Sequence, residues 1–93
     1  MEKIVRILSQ SACTQRQYTD KGGQPTVFNF VDFILTDGID TFFAQATGNL
    51  AMALQPLAQD ELHHVQCHIS HRTFQRQDGT TGHENPIYID RIS

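Results

Sequence analysis

The stretch TVFNFVDFILT at residues 26–36, followed by Asp37-Gly38 and IDTFFAQAT at 39–47, decides the fold of this chain. The first segment is rich in Val, Phe and Ile. It is apolar on both faces except at Asn29 and Asp32, which predicts a long central strand. Asp-Gly between two apolar runs is the strongest short-range signal for a β-hairpin. We therefore predict that residues 26–36 and 39–47 are antiparallel neighbours in one sheet.

A short helix is predicted after this hairpin. Gly48-Asn49 ends the second strand of the pair, and LAMALQPLAQ has the apolar spacing of a helix packed on one side. Asn49 is the predicted N-cap, because its side chain accepts a hydrogen bond from a backbone amide of the first turn. Pro56 cannot join the hydrogen-bond ladder of a helix, so the helix is expected to be short or to break there.

Residues 61–77, ELHHVQCHISHRTFQRQ, alternate with period two and predict a further strand. Its apolar face consists of Val65, Cys67 and Ile69. Its second face is polar with one aromatic and consists of His64, Gln66, His68, Ser70, Arg72, Phe74 and Arg76. Because the apolar face of such a strand packs on the core, Phe74 is predicted to point to solvent.

The two ends of the chain supply the remaining strands. KIVRILSQSAC at 3–13 predicts a first strand, and the Gly-Gly and Pro of QRQYTDKGGQP predict the turn after it. NPIYIDRI at 85–92 predicts a closing strand, with Ile87 and Ile89 on one face. Periodicity alone establishes a small β-rich domain. Five strands with a short helix between the third and the fourth describe an all-β, five-stranded OB-fold Greek-key barrel over residues 1–93.

Length and composition exclude several classes of protein. A chain of 93 residues supports a single small domain, and its 39% hydrophobic content excludes wholesale disorder. No apolar run reaches the about 20 residues of a membrane span, and MEKIVRILSQSA lacks the uncharged core of an export signal. We therefore expect a cytoplasmic protein with no membrane partner. Cys13 and Cys67 lack CxxC spacing, so we expect reduced thiols rather than a disulfide or a cysteine-rich zinc site.

The charge is unevenly distributed along the chain. The net charge of −3 argues weakly against a polyanionic ligand. Residues 31–62 contain five carboxylates and no Lys or Arg, whereas residues 1–30 are net positive. An anionic ligand is therefore expected near the two ends of the chain. All five histidines follow residue 62, so mild acid makes the last third positive.

Three segments in order resemble the bacterial single-stranded DNA-binding protein family over about residues 14–92. QYTDKGGQPTVFNF resembles the family's Tyr-Thr and Gly ahead of a strand with Asn-Phe. TFFAQATGNLAMAL resembles its third strand running into Gly-x-Leu-Ala and the helix. HRTFQRQDGTTGHENPIYIDRI resembles its Arg-Thr motif, its aromatic five residues before a Gly, and its closing strand. The resemblance implies an OB-fold that binds single-stranded DNA in replication, repair or recombination, in the cytoplasm with the nucleoid, as a homodimer or homotetramer.

The resemblance also implies roles for individual residues. It places Phe74 where the family has an aromatic that stacks on a base, with Arg72 on the same face and Arg76 extending that face. It makes one set of third-strand positions the ligand face: Thr41, Phe43, Gln45 and Thr47. It leaves the alternate positions for the core: Phe42, Ala44 and Ala46. A bulge or a dimer contact that buries Phe43 is the alternative.

The chain departs from the family's pattern in three respects. The family commonly has aromatics at both ends of the third-strand face, where this chain has Thr41 and Thr47. The chain has no tryptophan. We also expect no disordered acidic tail of the kind that recruits repair partners in that family. A tail-less relative, primosomal replication protein N, therefore resembles the chain nearly as well.

Basic residues of the first third are candidate phosphate contacts: Arg6, Arg16 and Lys21. Surface cations of this kind are more often solvated than bound to a ligand, and Lys21 is favoured by its place on a flexible Gly-Gly loop. His68 is a further candidate, because a partly protonated imidazole attracts phosphate. The aromatics of the central strand, Phe28, Phe30 and Phe33, are predicted to be core. An extension of the ligand face through Asn29 and Phe33 is the alternative.

We expect no metal, no cofactor and no catalytic site. His-x-x-x-His spacing suits a helix, whereas the histidines lie on a predicted strand, where residues four and eight positions apart are too distant to chelate one ion. No spacing pairs a nucleophile with a base, and Cys67 lies on the apolar face.

The sequence thus predicts a non-enzymatic binder of single-stranded DNA, with RNA as an alternative ligand. Bases are expected to stack on Phe74 and Phe43 while Arg72 and Arg76 neutralise phosphates, with slight preference for sequence. The competing hypothesis is an OB-fold adaptor, primosome-like or an accessory of mobile-element replication. Its exposed face would bind a replication or recombination protein, and nucleic acid would be incidental. The acidic middle and the missing strand-three aromatics favour this alternative.

Overall fold

The computed structural model describes all residues from Met1 to Ser93. Eight strands and one helix follow one another along the chain: β1 Glu2–Gln10, β2 Thr14–Thr19, β3 Pro25–Thr36, β4 Thr41–Thr47, α1 Gly48–Ala53, β5 Leu62–Ile69, β6 Arg72–Gln75, β7 Thr81–Glu84 and β8 Ile87–Ile92. Most residues are in strands, so the predicted all-β class with one short helix is confirmed. At six residues, α1 has neither the length nor the apolar character to cross a membrane.

Five of the strands close into a ring. The order around the ring is β1, β5, β8, β4, β3 and back to β1. The first half of β1 pairs with β5 and its second half with β3, and a bulge between Ile7 and Ser9 lies within the second pairing. β4 and β8 are parallel, and the other ring neighbours are antiparallel. β2 lies outside the ring on β3, and β6 pairs with β7 in a separate two-stranded sheet.

The predicted pairing of the two central strands is confirmed. β3 and β4 are antiparallel, from Phe30 opposite Thr47 to Thr36 opposite Thr41. Gly38 in the turn has a φ of 94°, which side-chain-bearing residues rarely adopt. The backbone amides of residues 39 and 40 donate hydrogen bonds to Asp37 Oδ1. The Asp-Gly dipeptide therefore forms the tight turn that it predicts.

The core lies inside the ring, where alternation along β3 and β4 places it. Ala44 is fully buried and is paired with Phe33, so a small residue on one strand leaves room for a large ring on the next. The alternative in which Phe33 extends the ligand face is wrong, because its side chain has no exposed surface. Asn29 also lies on the inward side, and its Nδ2 is 3.4 Å from Met52 Sδ in α1. The central cluster consists of Val5, Ile7, Val31, Phe33, Leu35, Ala44, Ala46, Ala51, Val65 and Ile89.

The first strand ends earlier than predicted, and a strand follows it that the sequence did not indicate. β1 ends at Gln10 rather than residue 13. Ser11 then holds the chain against β3: its backbone amide donates to the Asp32 carbonyl, and its Oγ accepts from the Asp32 amide. All residues of β2 are exposed, so no buried face imposes an alternating pattern on its sequence. With β2, the N-terminal part of β3 forms a hairpin that extends beyond the ring.

The predicted strand over residues 61–77 is two separate strands. β5 ends at Ile69, and β6 begins at Arg72 in the β6–β7 hairpin. Between them the Ser70 amide donates to the Pro86 carbonyl, which extends the β5–β8 ladder one residue past Ile69 and Ile87. Ile69 was predicted to face the core, but it is 56% exposed, so that prediction is wrong. The closing strand begins at residue 87 rather than 85, after Pro86, which has no amide hydrogen to donate.

The helix is shorter than the apolar spacing indicates. It ends at Ala53, and Leu54 is already extended, with φ −70° and ψ 134°. Pro56 disfavours helical geometry in the residue before it, so the early end agrees with the expected break. The N-cap prediction is wrong: Thr47 occupies that position, without a side-chain capping hydrogen bond, and Asn49 lies inside the helix.

Candidate nucleic-acid interface

The outer face of the ring consists of the side chains that point away from the core on β3, β4, β8 and β5. Directly paired residues share a face, so the strand register builds a row across these four strands. The row consists of Asp32, Gln45, Tyr88 and His68. Gln45 Nε2 donates to Asp32 Oδ1 at 2.8 Å, and the Tyr88 and His68 ring centroids are 5.6 Å apart. The polar pair Asp32 and Gln45 and the ring-bearing pair Tyr88 and His68 therefore lie side by side on one surface.

A first cleft of about 420 Å³ opens on this face beside the β6–β7 hairpin. It brings together three of the residues that the sequence singles out, Phe43, Gln45 and Arg72. Glu84 and Tyr88 also line it. Arg72 belongs to β6, so this cleft is where the hairpin meets the ring.

The orientation predicted for β4 is confirmed. Phe43 is 52% exposed, whereas Phe42 is half-buried against the core and Ala44 and Ala46 are fully buried. β4 continues in regular register with β3 through these positions, so no bulge turns Phe43 inward. The ring of Phe43 is therefore accessible at the first cleft.

A second cleft, of about 350 Å³, lies next to the first and shares Tyr88 with it. Phe28 of β3 and His68 of β5 line this cleft, with Asp90 of β8. His68 Nδ1 lies 2.8 Å from Asp90 Oδ1. The Nδ1 atom of the candidate residue His68 is therefore already in contact with a carboxylate and is not free for a phosphate.

Phe74 lies on the β6–β7 hairpin rather than on the ring. It is 43% exposed, and its ring rests on the backbone of Gly82, where a Cβ would overlap it. Arg76 Cζ is 5.8 Å from the ring centroid, within the range of a cation–π contact. Phe74 and Arg76 line neither cleft, so they form a separate aromatic and cationic unit on the hairpin.

Arg72 is paired with a carboxylate. Its Nε donates to Glu84 Oε1 at 3.0 Å across the hairpin, and this hydrogen bond raises the pKa of the guanidinium above its ordinary value. Glu84 offsets part of the charge that Arg72 offers to a phosphate. Arg76 has no such ion-pair partner.

The cations of the first third lie apart from the clefts. Arg6 is on β1, which pairs with neither β4 nor β8, and its Nη1 donates to the Asp60 carbonyl at 3.0 Å. Lys21 lies in the turn between β2 and β3 and lines neither cleft. Arg16 is closer to the site: its Cζ is 5.4 Å from the Phe30 ring centroid. Phe30 in turn stacks on Phe28, with centroids 5.7 Å apart.

Three residues of the outer face were not recognised as candidates from the sequence: Phe28, Tyr88 and Asp90. The sequence does contain a signal for Tyr88 and Asp90. Alternation along β8 with Ile87 and Ile89 inward places these two residues on the outer side. The prediction that Phe28 belongs to the core is wrong. It shares the outer side of β3 with Asp32, at the base of a hairpin that leaves the ring.

The histidines and cysteines do not form a metal centre of three ligands. His71 and His83 stack on the hairpin, and Nε2 of His71 lies 2.8 Å from Nδ1 of His83. His63 is buried, with its ring nitrogens near the Ala58 and Ser93 carbonyl oxygens. Burial raises the pKa of the Cys67 thiol, which disfavours the reactive thiolate.

Comparison with known proteins identifies no family for this chain. No protein-family model matches the sequence, and no curated protein is similar enough to count as a match.

Proposed function

We propose that this chain is an OB-fold protein that binds single-stranded DNA on its outer face without catalysis. The ring strands in chain order are β1, β3, β4, β5 and β8, and the helix lies between the third and the fourth. Closure of five strands with this helix position supports a five-stranded Greek-key barrel.

The position of the aromatic residues relative to the two hairpins carries the proposal. OB-folds bind oligonucleotides on the face of their second and third strands and with the loops joining strands 1 to 2 and 4 to 5. The corresponding strands here are β3 and β4, and their outer side presents Phe28 and Phe43. The β2–β3 hairpin and the β6–β7 hairpin occupy the two loop positions. Accessible rings therefore lie where an OB-fold takes its ligand.

The mechanism combines stacking with phosphate neutralisation. A base stacked on an aromatic ring contributes about 1–3 kcal/mol, and any base suffices because each has a π-face. Phe43 and Tyr88 offer such surfaces on the ring, and Phe74 offers one on the hairpin. Arg76, which has no carboxylate partner, and Arg72 supply charge for the phosphates between the bases.

The electrostatic part of this binding is expected to be modest. Asp32, Asp90 and Glu84 add negative charge to the outer face and the clefts. About three phosphate contacts on a single strand correspond to a slope near −2 in a plot of log affinity against log salt concentration. A much steeper slope would require cations that this face does not present.

The test is a fluorescence anisotropy titration of a labelled oligothymidine at several salt concentrations. We expect binding at low salt with the slope given above. Phe74→Ala should lose roughly 5- to 150-fold in affinity, because it removes one stacking surface. Ile39→Ala is the matched control, since Ile39 is 91% exposed in the β3–β4 turn and lies away from both clefts. No binding at low salt, or unchanged affinity of the Phe74 variant, would contradict the proposal.

A second candidate function is favoured by the outward side of β1 and β5. Ile4, Leu8 and Leu62 are each at least half exposed there, on the part of the ring away from the clefts. Such a surface supports the expected homodimer or homotetramer. It equally supports an adaptor that binds a replication or recombination protein. A chain that self-associates in sedimentation experiments but binds no oligonucleotide at low salt would favour the adaptor.

A further inference from the structure

We propose that the second cleft selects guanine over the other bases of the bound strand. This inference rests on the proposed function, because it specifies which base the outer face takes at one position. It departs from the sequence-based expectation of slight base preference.

The walls of the second cleft suit a flat aromatic ligand. Phe28 and Tyr88 both line it, and its volume of about 350 Å³ accommodates a nucleobase. Phe28 is supported from behind by its stack with Phe30, whose other neighbour is the Arg16 guanidinium. A base that enters the cleft therefore meets rings that are themselves packed against other rings.

The charged group of the cleft is a carboxylate rather than a cation. Asp90 lies on its wall with a half-exposed side chain, and no Lys or Arg lines the cleft. An ionised carboxylate only accepts hydrogen bonds, and its two oxygens offer about four acceptor sites. His68 occupies one site on Oδ1, so acceptors remain free on both oxygens. The cleft thus disfavours phosphate and favours a ligand edge that donates.

Guanine has the base edge that fits this carboxylate. Its N1–H and N2–H₂ groups are adjacent donors, so two parallel hydrogen bonds to the two oxygens of Asp90 are available. Thymine presents one N–H between two carbonyl oxygens, which the carboxylate repels. Adenine and cytosine each present one amino group beside an acceptor nitrogen. Thr47 and Ser70 line the same cleft, and a hydroxyl group is a suitable donor for guanine O6.

The first cleft lacks this preference for a physical reason. Its carboxylate, Glu84, accepts a hydrogen bond from Arg72 at 3.0 Å, so a cation already accompanies it. The partner of Asp90 is the His68 ring, and no Lys or Arg accompanies this carboxylate in the second cleft. The two clefts therefore differ in which part of a nucleotide they favour, the phosphate in the first and the base edge in the second.

The experiment compares three labelled oligonucleotides that differ at one central position. An oligothymidine is compared with the same strand containing one guanine and with one containing hypoxanthine, which lacks the N2 amino group. The single guanine prevents self-association into quadruplexes. We expect guanine to bind about tenfold more tightly than thymine, with hypoxanthine in between, since a good bidentate base contact discriminates by about this factor or more.

The variant Asp90→Asn tests whether the carboxylate of Asp90 causes the preference for guanine. The asparagine Oδ1 still accepts from His68, so the local contact is retained. This variant should lose most of the guanine preference and should bind the all-thymine strand at least as tightly as the parent, because a negative charge is removed. Asp40→Asn is the matched control: Asp40 is exposed in the β3–β4 turn, and its loss should leave the guanine to thymine ratio unchanged.

The outcomes separate the inference from the function on which it rests. Equal affinities of the parent protein for the guanine and thymine strands would overturn guanine selection while leaving DNA binding in place. A guanine preference that survives in the Asp90 variant would overturn the role given to its carboxylate. Binding of none of the three strands would overturn the proposed function and the inference together. Unfolding curves of both variants, compared with the parent, establish that each is folded.

Discussion

The β3–β4 pair and the β6–β7 hairpin both turn at an Asp-Gly dipeptide, at Asp37-Gly38 and at Asp78-Gly79. In both turns the Asp Oδ1 accepts hydrogen bonds from the following backbone, and in both the pKa of the carboxyl is lowered. Their surroundings differ. β3 and β4 cover the core with fully buried residues such as Phe33, whereas every residue of the β6–β7 hairpin strands except Gly82 is exposed.

This difference shows that the same local turn signal leads to two kinds of structure. A hairpin inside the ring is held by burial of its inward face. The β6–β7 hairpin outside the ring is held by its own ladder and by exposed side-chain contacts, such as the Phe74 ring on Gly82 and the Arg72–Glu84 ion pair. Regions with few buried contacts open locally at a lower free energy than the core. We therefore expect the ring to present fixed aromatic surfaces and the hairpin to bring Phe74 and Arg76 to the ligand as a more mobile arm.

The largest effect that separates the two regions is on stability. Phe33→Ala should lower the free energy of unfolding by about 3–5 kcal/mol, because it leaves a cavity at a fully buried site. Phe74→Ala should lower it by less than about 1 kcal/mol, since that residue is already 43% exposed and its ring packs within an exposed hairpin rather than in the core. Urea denaturation followed by circular dichroism measures both. Similar losses for the two variants would show that the hairpin is part of the cooperative core.

A smaller effect, on the affinity for DNA, concerns Arg72, the cation at the cleft between the hairpin and the ring. Glu84→Gln should release Arg72 for a phosphate, so affinity for oligothymidine should rise and the log–log salt slope should steepen by about 0.7, the value of one single-strand phosphate contact. Glu61→Gln removes an equal charge at an exposed position before β5 and serves as the control. An unchanged slope in the Glu84 variant would mean that Arg72 makes no phosphate contact.

The smallest effect is on the pH dependence of stability and concerns Asp37 in the β3–β4 turn. Lys3 Nζ donates to Asp37 Oδ2 at 2.8 Å, and this hydrogen bond lowers the pKa of Asp37 below its ordinary 3.8 and raises that of Lys3. A carboxyl with a lowered pKa stabilises the fold above its unfolded pKa, and this stability is lost as the pH falls toward the folded value. The stability advantage of the parent over Asp37→Asn should therefore be constant at neutral pH and shrink below about pH 3.8.

Equilibrium unfolding of both proteins across this pH range measures that advantage. Lys3→Met should reduce the same pH dependence, because it removes the donor. An advantage that persists unchanged in strong acid would show that the ion pair does not depend on an ionised Asp37.

Sequence periodicity predicts the parts of this fold that have one buried face. On β4, alternation requires one of Phe42 and Phe43 to face outward, and the choice of Phe43 comes from the family resemblance rather than from periodicity. Alternation along β8 likewise indicates that Tyr88 faces outward, because the isoleucines on either side of it face inward. Periodicity does not reveal β2 or the separation of β6 from β5, because neither β2 nor β6 has a buried face. The ion pair of Arg72 with Glu84 depends on cross-strand register, which alternation along one strand does not specify.

The most direct test of the central claim is to map the bound oligonucleotide on the protein surface. A titration of isotopically labelled protein with oligothymidine, followed by amide chemical shifts, reports which residues sense the ligand. The account predicts the largest shift changes at Phe43, Tyr88 and Phe74 and small changes at Ile4 and Leu62 on the far side of the ring. Changes confined to β1 and the start of β5, with none at the clefts or the hairpin, would contradict it.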